Sequence, residues 1–223
     1  MERHVDQELE ELKQDLVRMA GLAEAAIGKA IHALLLRDVA MAEDVLRADE
    51  AINRFELAID ERCLRMLALY QPEASDLRFI AMSLKINNNL ERIGDQAVNI
   101  AQRTIELLKE PSLKPLIDIP HLAQLVQAML KHSVDAFVQR DTVLARSVCQ
   151  RDDEVDALDD QIFRELLTYM MQDHRAITRA VQLILVSRHL ERVADHATNI
   201  AEDVIYLVEG RQVKHHAQDS VSA

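Results

Sequence analysis

Leu90-Glu91-Arg92-Ile93-Gly94-Asp95-Gln96-Ala97-Val98-Asn99-Ile100-Ala101 is followed, one hundred residues later, by Leu190-Glu191-Arg192-Val193-Ala194-Asp195-His196-Ala197-Thr198-Asn199-Ile200-Ala201. The shared apolar positions, such as Leu90/Leu190 and Ile100/Ile200, are what any repeated helix would keep. Glu91/Glu191, Asp95/Asp195 and Asn99/Asn199 are not demanded by packing. A duplication that preserves a polar stripe points to a preserved site.

The likeness extends outward. At an offset of 103, Met19, Ala23, Ile27, Ile31 and Leu34 meet Leu122, Val126, Leu130, Val134 and Phe137. Asp38 meets Asp141, and Val45, Ile52, Phe55 and Ile59 meet Val148, Val155, Leu158 and Ile162. The offset falls to 100 by Glu91, a three-residue difference that belongs in the turn near Pro72, where the second half turns more tightly around Asp173. Length changes between related units belong in turns.

Apolar residues recur at steps of three and four, as in Ile86, Leu90, Ile93, Ala97, Ile100, Thr104 and Leu107, which is helical spacing. Breakers are few, with 4 Gly and 4 Pro in 223 residues. Three of those prolines fall between Glu110 and Pro120 and cannot continue a helix. The spacing predicts an all-α fold, a tandem repeat of two antiparallel three-helix bundles. Residues 1–110 form the first repeat, 111–120 a Pro-rich linker, 121–210 the second repeat and 211–223 a disordered tail. The helices are expected over 5–36, 39–69, 75–109, 119–139, 142–172 and 175–209. Asp38 and Asp141 suit N-caps at matching breaks, as does Ser75 or Asp76 after Pro72.

Composition excludes some functions. The net charge of −12 leaves no basic stripe for nucleic acid or an acidic membrane surface, and favours metal cations or a basic protein partner. No run of 18 apolar residues suggests a membrane span, and the N-terminus lacks the apolar core of a signal peptide. Cys63 and Cys149 lack metal-ligand spacing and read as reduced packing cysteines of a cytosolic protein.

Glu91, Asp95 and Asn99 share one helix face at i, i+4 and i+8, away from the apolar seam, and read as a solvent-facing stripe that Glu191, Asp195 and Asn199 repeat. A second stripe on the middle helix holds Asp49, Asn53 and Glu56, matched by Asp152, Asp156 and Asp159. Antiparallel neighbours could bring the two stripes onto one surface. Like charges at i, i+4 destabilise a helix by roughly 0.2–0.5 kcal/mol each, and a cation removes that cost. Oxygen-only ligands suit divalent or trivalent ions such as iron, manganese, magnesium or zinc. Arg92 and Arg192 follow the glutamate in both copies and can pair with a carboxylate or touch a partner. His196 stands where the first copy has Gln96, and reads as a generic polar residue. Asn87-Asn88-Asn89 reads as a polar contact face.

Three functions compete: a metal-loaded interaction module, a carboxylate-bridged metalloenzyme of the helical-bundle type, and a plain helical scaffold. The enzyme would need Glu-x-x-His pairs aimed into a core, and Glu91 and Glu191 have no such partner. No nucleophile–base pair or nucleotide fingerprint appears. The scaffold leaves the duplicated stripes unexplained.

Asp76-Leu77-Arg78 and the doubled LERxxDxAxNIA string resemble the PhoU family of bacterial phosphate-signalling regulators, over about residues 5–210. The resemblance implies a cytoplasmic, non-enzymatic negative regulator of phosphate uptake and starvation signalling. It implies two partners, the ATPase subunit of the high-affinity phosphate ABC transporter and the phosphate-sensing histidine kinase, with the membrane reached only through them. A homodimer through an exposed bundle face is left open. Metal binding is implied at Glu91/Asp95 and Glu191/Asp195, with Asp49/Asn53 and Asp152/Asp156 on the middle helices. Asn53 departs from the acidic pattern, so the first site is expected to bind less tightly.

Overall fold

A computed structural model describes residues 4–211; residues 1–3 and 212–223, including most of the expected tail, lie outside it. Its helices are α1 (His4–Leu36), α2 (Val39–Tyr70), α3 (Ala74–Leu107), α4 (Asp118–Gln139), α5 (Thr142–Gln150), α6 (Asp152–Gln172) and α7 (Ile177–Glu209), with a 3₁₀ turn at His174–Ala176 before α7. No strand occurs among the described residues.

The first repeat is α1, α2 and α3, each packed on the other two; the second is α4, the α5–α6 pair and α7. Leu12, Met19, Ile27, Ile52, Ile59, Ile80, Leu90 and Ile93 are wholly or almost wholly buried in one, and Leu122, Val126, Val155, Leu190 and Val193 in the other. α1 is the one described helix long and apolar enough to raise the question of a membrane span. Its apolar residues Leu12, Leu16, Met19, Ala23 and Ile27 are spent on the bundle core.

The matching breaks are built alike. Arg37 and Arg140 both take left-handed backbone, with φ of 56° and 54°. The next residues, Asp38 and Asp141, each donate a backbone N–H back to the carbonyls of Ala33 and Ala136 at 3.0 Å, closing the finished helix. Their carboxylates then cap the new one, Asp38 accepting from Met41 N–H and Asp141 from Val143 and Leu144 N–H. Replacing Asp141 by Ala should cost about 1 kcal/mol of stability, readable as a lowered urea midpoint at unchanged slope.

Two expectations fail here. α3 starts at Ala74 after Glu73, and neither Ser75 nor Asp76 serves as its cap. The expected helix over 142–172 is broken at Arg151, whose N–H reaches only three residues back, to Val148 O at 3.0 Å. Asp152, Asp153 and Glu154 follow as the first turn of α6, where their charge favours a fresh helix N-terminus.

The segment between the repeats is clamped by cations. Arg37 donates to Ser112 Oγ and to the carbonyls of Leu108 and Glu110, Arg179 donates to Pro111 O, and Lys114 pairs with Glu165. Arg78, from the Asp76-Leu77-Arg78 motif, donates to Leu207 O and lies 5.9 Å from the Tyr206 ring centroid, fastening the end of α7 to the start of α3.

α3 and α7 carry the main contact between repeats. Their pairing is antiparallel and its register is read from hydrogen bonds: His196 Nδ1 to Asn89 Oδ1 at 3.0 Å, His189 Nδ1 to Gln96 Oε1 at 2.9 Å, and Arg103 donating to Gln182 Oε1 at 3.3 Å. Each pair of residue numbers has the same sum, so α3 and α7 cross at Arg92-Ile93 and Arg192-Val193. The two histidine–amide bonds are equivalents of one another about a pseudo-two-fold axis at that crossing.

Candidate metal centre

Five of the six candidate ligands singled out in the first repeat, all but Asn99, lie close enough to act on one another. Burial, and then the charge of Asp95, push the Asp49 carboxyl above its usual range, against a hydrogen bond from Asn53 Nδ2 at 3.1 Å. Glu91 is raised by burial first, then by Asp95, Glu56 and Asp49. In the second repeat Glu191 is raised by burial, then by Asp195, Asp159 and Asp156; Asp195 is raised by burial and then by Asp156. Each set thus joins a middle helix to a third helix, and repulsion runs across the gap.

The stripes are only partly solvent-facing: Asp156, Asp195 and Asn199 are exposed, as the single-helix angles suggest, but other members are not. The Glu91 side chain is 24% exposed, Asp49 is half-buried and Asp159 is buried. A face of α3 turned from α1 is turned toward α2, and the carboxylates line that junction. Asp159 is already engaged, accepting from the Ser187 hydroxyl and pairing with Arg188 at 2.8 Å. Asp152 accepts from Thr198 Oγ1 at 3.4 Å. Asn99 is half-buried one turn beyond Asp95. Asn199 lines a groove with Lys85, Asn88, Asn89, Glu202 and Asp203, against α3 rather than α6.

Among the described residues no three His, Cys, Asp or Glu side chains converge tightly enough to enclose an ion. The donor set nevertheless fits a hard cation. It is all oxygen, its members repel, and the Oδ1 of buried Asn87, one turn before Glu91, has no hydrogen-bond partner. The Asn87 amide donates instead to Glu56 O and Asp60 Oδ1, both at 2.9 Å. A bound ion would draw carboxylates inward that now stand apart.

Gly94 makes the first junction narrow. A Cβ there would lie 3.0 Å from Ile52 Cδ1 and 3.2 Å from Asp49 Oδ1. The second repeat has Ala194 at the matching place. Arg92 reaches Glu91 at 3.5 Å and Asp95 at 3.6 Å, while exposed Arg192 makes no ion pair among the described residues.

The two histidines of the α3–α7 seam were undervalued by their sequence context. Burial, then Arg192 and Arg103, push His189 down to about 4; burial, then Arg92 and Arg192, lower His196. A depressed histidine is fully stabilising above the unfolded value of about 6.5 and loses that contribution as pH falls toward the folded value. His189→Gln should therefore flatten the loss of stability between about pH 6.5 and about 4, measured by chemical denaturation of metal-stripped protein across that range.

Comparison with known proteins agrees with this architecture. The model of the PhoU domain matches residues 16–104 and again 119–204, one copy per repeat. The chain is 50% identical over 208 residues to the phosphate-specific transport system accessory protein PhoU homolog of Aquifex aeolicus, covering 93% of this chain and 94% of that one. Against the homolog of Pseudomonas aeruginosa it is 46% identical, over 93% and 86% of the two chains. The crystal structure of PhoU from Pseudomonas aeruginosa superposes with a TM-score of 0.89 at 44% identity, covering 92% of this chain and 99% of that one. The phosphate transport system regulatory protein PhoU from Streptococcus pneumoniae gives 0.89 at 33% identity, over 95% and 100%. By its doubled motif, its two bundles and these matches, the chain belongs to the PhoU domain family.

Proposed function

We propose that the chain is a non-catalytic negative regulator of phosphate uptake and phosphate-starvation signalling, working in the cytoplasm. The relatives named as accessory proteins of phosphate-specific transport support the regulatory role. In this reading the protein is an adaptor between the ATPase subunit of the phosphate ABC transporter and its sensor histidine kinase. Two bundles locked by α3 and α7 form a stiff platform, and a partner's state is passed on by favouring one conformation of the next.

The observation that carries the metal part is the pair of mutually repelling carboxylate sets, Asp49, Glu56, Glu91 and Asp95 in one repeat and Asp156, Glu191 and Asp195 in the other. Iron, zinc, manganese or magnesium bound there would neutralise charge on the exposed face. Asn53 donates to Asp49 through its amide nitrogen, a bond that does not use its Oδ1, whereas both oxygens of Asp159 are engaged, by Ser187 and Arg188, and would have to be released to bind an ion. Arg92 and Arg192, at the crossing of the repeats, are the partner-facing cations of this surface.

The test is a phosphate-starvation reporter in cells whose own copy is replaced. Glu91→Ala, Asp95→Ala, Glu191→Ala and Asp195→Ala together should derepress the reporter in rich phosphate at normal protein level. Elemental analysis of the natively purified proteins should show metal lost in the same variant. Intact repression by that variant would sink the metal part of the reading.

A further inference from the structure

Arg92 and Arg192 stand where α3 and α7 cross, and both are exposed, while the residues after them, Ile93 and Val193, are wholly buried. The pseudo-two-fold axis at that crossing exchanges the two arginines, so they flank it on the open face of the seam. Arg103 lies eleven residues further along α3. That is three turns, within about 20° of the direction of Arg92 and about 16 Å along the helix.

Single exposed arginines need no explanation. Their pairing here does. The chain has 26 basic side chains against 38 acidic ones, so carboxylates are plentiful. Neighbouring cations have found them: Lys85 meets Asp203 and Arg188 meets Asp159, each at 2.8 Å. Arg192 and Arg103 make no ion pair among the described residues, and Arg103 donates instead to the neutral amide of Gln182. Arg92 reaches Glu91 and Asp95 at 3.5 and 3.6 Å, beyond the roughly 2.7–2.9 Å of a charge-assisted hydrogen bond.

The histidines between these arginines record a positive field. Beyond burial, Arg192 and Arg103 lower His189, and Arg92 and Arg192 lower His196; no carboxylate is among the groups acting on either ring. The field is one-sided. The repeat puts Asp203 where the first copy has Arg103, and Asp203 is paired with Lys85. Positive charge therefore runs from the axis toward Arg103 and not the other way, which makes one strip rather than two.

The carboxylates bordering the strip are Glu91 and Asp95 beside Arg92, and Asp195 within range of Arg192. These are groups that the metal reading fills. An ion there cancels the charge that would oppose an anion, and it draws away the carboxylates that Arg92 now leans on.

We propose that the metal-loaded seam is a docking strip for an acidic segment of a partner protein, whose carboxylates meet Arg92 and Arg192 at the axis and Arg103 three turns away. A protein segment suits the strip better than a small free anion, because the three arginines are spread along an open surface and do not converge on one point. The proposal deepens the adaptor reading. It rests on that reading for a protein partner and for the cancelled charge.

The probe is a synthetic peptide of about ten residues alternating glutamate and serine, long enough to span the strip when extended. It is titrated calorimetrically into the natively purified full chain with Mg²⁺ added. Control peptides carry glutamine or lysine in place of glutamate. One acidic peptide should bind per chain. Arg92→Gln with Arg192→Gln should weaken it roughly tenfold or more, Arg103→Gln should add to the loss, and Arg92→Lys with Arg192→Lys should restore part of it. Lys29→Gln with Lys131→Gln, the same loss of charge on α1 and α4, should leave it unchanged. Chelator should weaken it by restoring the bordering charge. On binding, the NMR signals of His189 and His196 should move, and those of His121 and His132 on α4 should not.

No binding, equal binding of either control, equal losses from the arginine and lysine variants, or an affinity that chelator leaves unchanged would overturn the proposal. So would inorganic triphosphate binding the same arginines more tightly than the peptide does, since the strip would then be a phosphate site. The starvation reporter keeps the two levels apart. Repression that survives loss of the whole protein defeats the regulatory reading, whereas a failed titration with repression intact in the native chain defeats the strip alone.

Discussion

Replacing Glu91 and Glu191 by Gln and Asp95 and Asp195 by Asn should make the metal-free protein more stable and the metal-loaded protein less stable. The first sign follows from repulsion. Glu91, Glu191 and Asp195 are all raised above their ordinary range, by burial and then by neighbouring carboxylates, so folding disfavours their charged forms. Removing two like-charged i, i+4 pairs should return roughly 0.5–1 kcal/mol. In the native sequence the same relief comes from protons. A raised carboxylate binds a proton in the folded state before the unfolded one, so this contribution to stability rises as pH falls through the raised values.

The second sign follows from linkage. An ion that binds the folded state at a hundred times its dissociation constant stabilises by about 2.7 kcal/mol per site. Losing two such sites outweighs the relief of repulsion several-fold. Denaturant midpoints of both proteins, with chelator and with added Mn²⁺ or Zn²⁺, should therefore change order. A variant less stable than the native chain in chelator would show that the carboxylates hold the fold by hydrogen bonds. Equal response of both proteins to metal would place the ligands elsewhere.

The repeat, the three helices of the first half and both aspartate caps were legible because they rest on local rules: apolar period, breakers and capping chemistry. Orientation of the acidic stripes was not. An angle around one helix locates a face relative to one seam, but α3 packs on α1, α2 and α7 at once. A face that looks outward from the first seam can be inward at the second, which is where Glu91 and Asp49 are found. The break at Arg151 carries neither Gly nor Pro, and only the run Asp152-Asp153-Glu154 signals it. The contact between repeats had a visible trace. Asn89, Ile93, Gln96, Ile100 and Arg103 follow the alternating three-and-four spacing of a helix seam, with polar residues at places a core would fill. His189 and His196 answer them across the pseudo-two-fold. The pairing is legible only with both helices in view.

Gly94→Leu should be the most damaging single change near the site, and its damage should be confined to the first repeat. Glycine inside a long helix is about 1 kcal/mol worse than alanine, so its presence needs a reason in packing. The reason is the distance from its missing Cβ to Ile52 Cδ1, 3.0 Å, and to Asp49 Oδ1, 3.2 Å. For alanine the gain in helix propensity and the squeeze oppose each other, and Gly94→Ala should come out within about 1 kcal/mol of the native chain. Leucine adds four carbons to a junction with no room, which costs about 1–3 kcal/mol or more as α2 is pushed from α3. The displaced residue is Asp49, so the carboxylate set of the first repeat opens while Asp156, Glu191 and Asp195 keep their places. Elemental analysis should then read about half the native metal content, with the thermal transition lowered. The reciprocal change, Ala194→Gly, should cost about 1 kcal/mol through helix propensity and leave metal content unchanged. A full metal complement in Gly94→Leu would mean that the closeness of α2 and α3 at this point does not set the ligand geometry. Loss of metal from both repeats would mean that the two junctions are mechanically coupled through the α3–α7 seam, which the pairing of His189 and His196 with Gln96 and Asn89 could transmit.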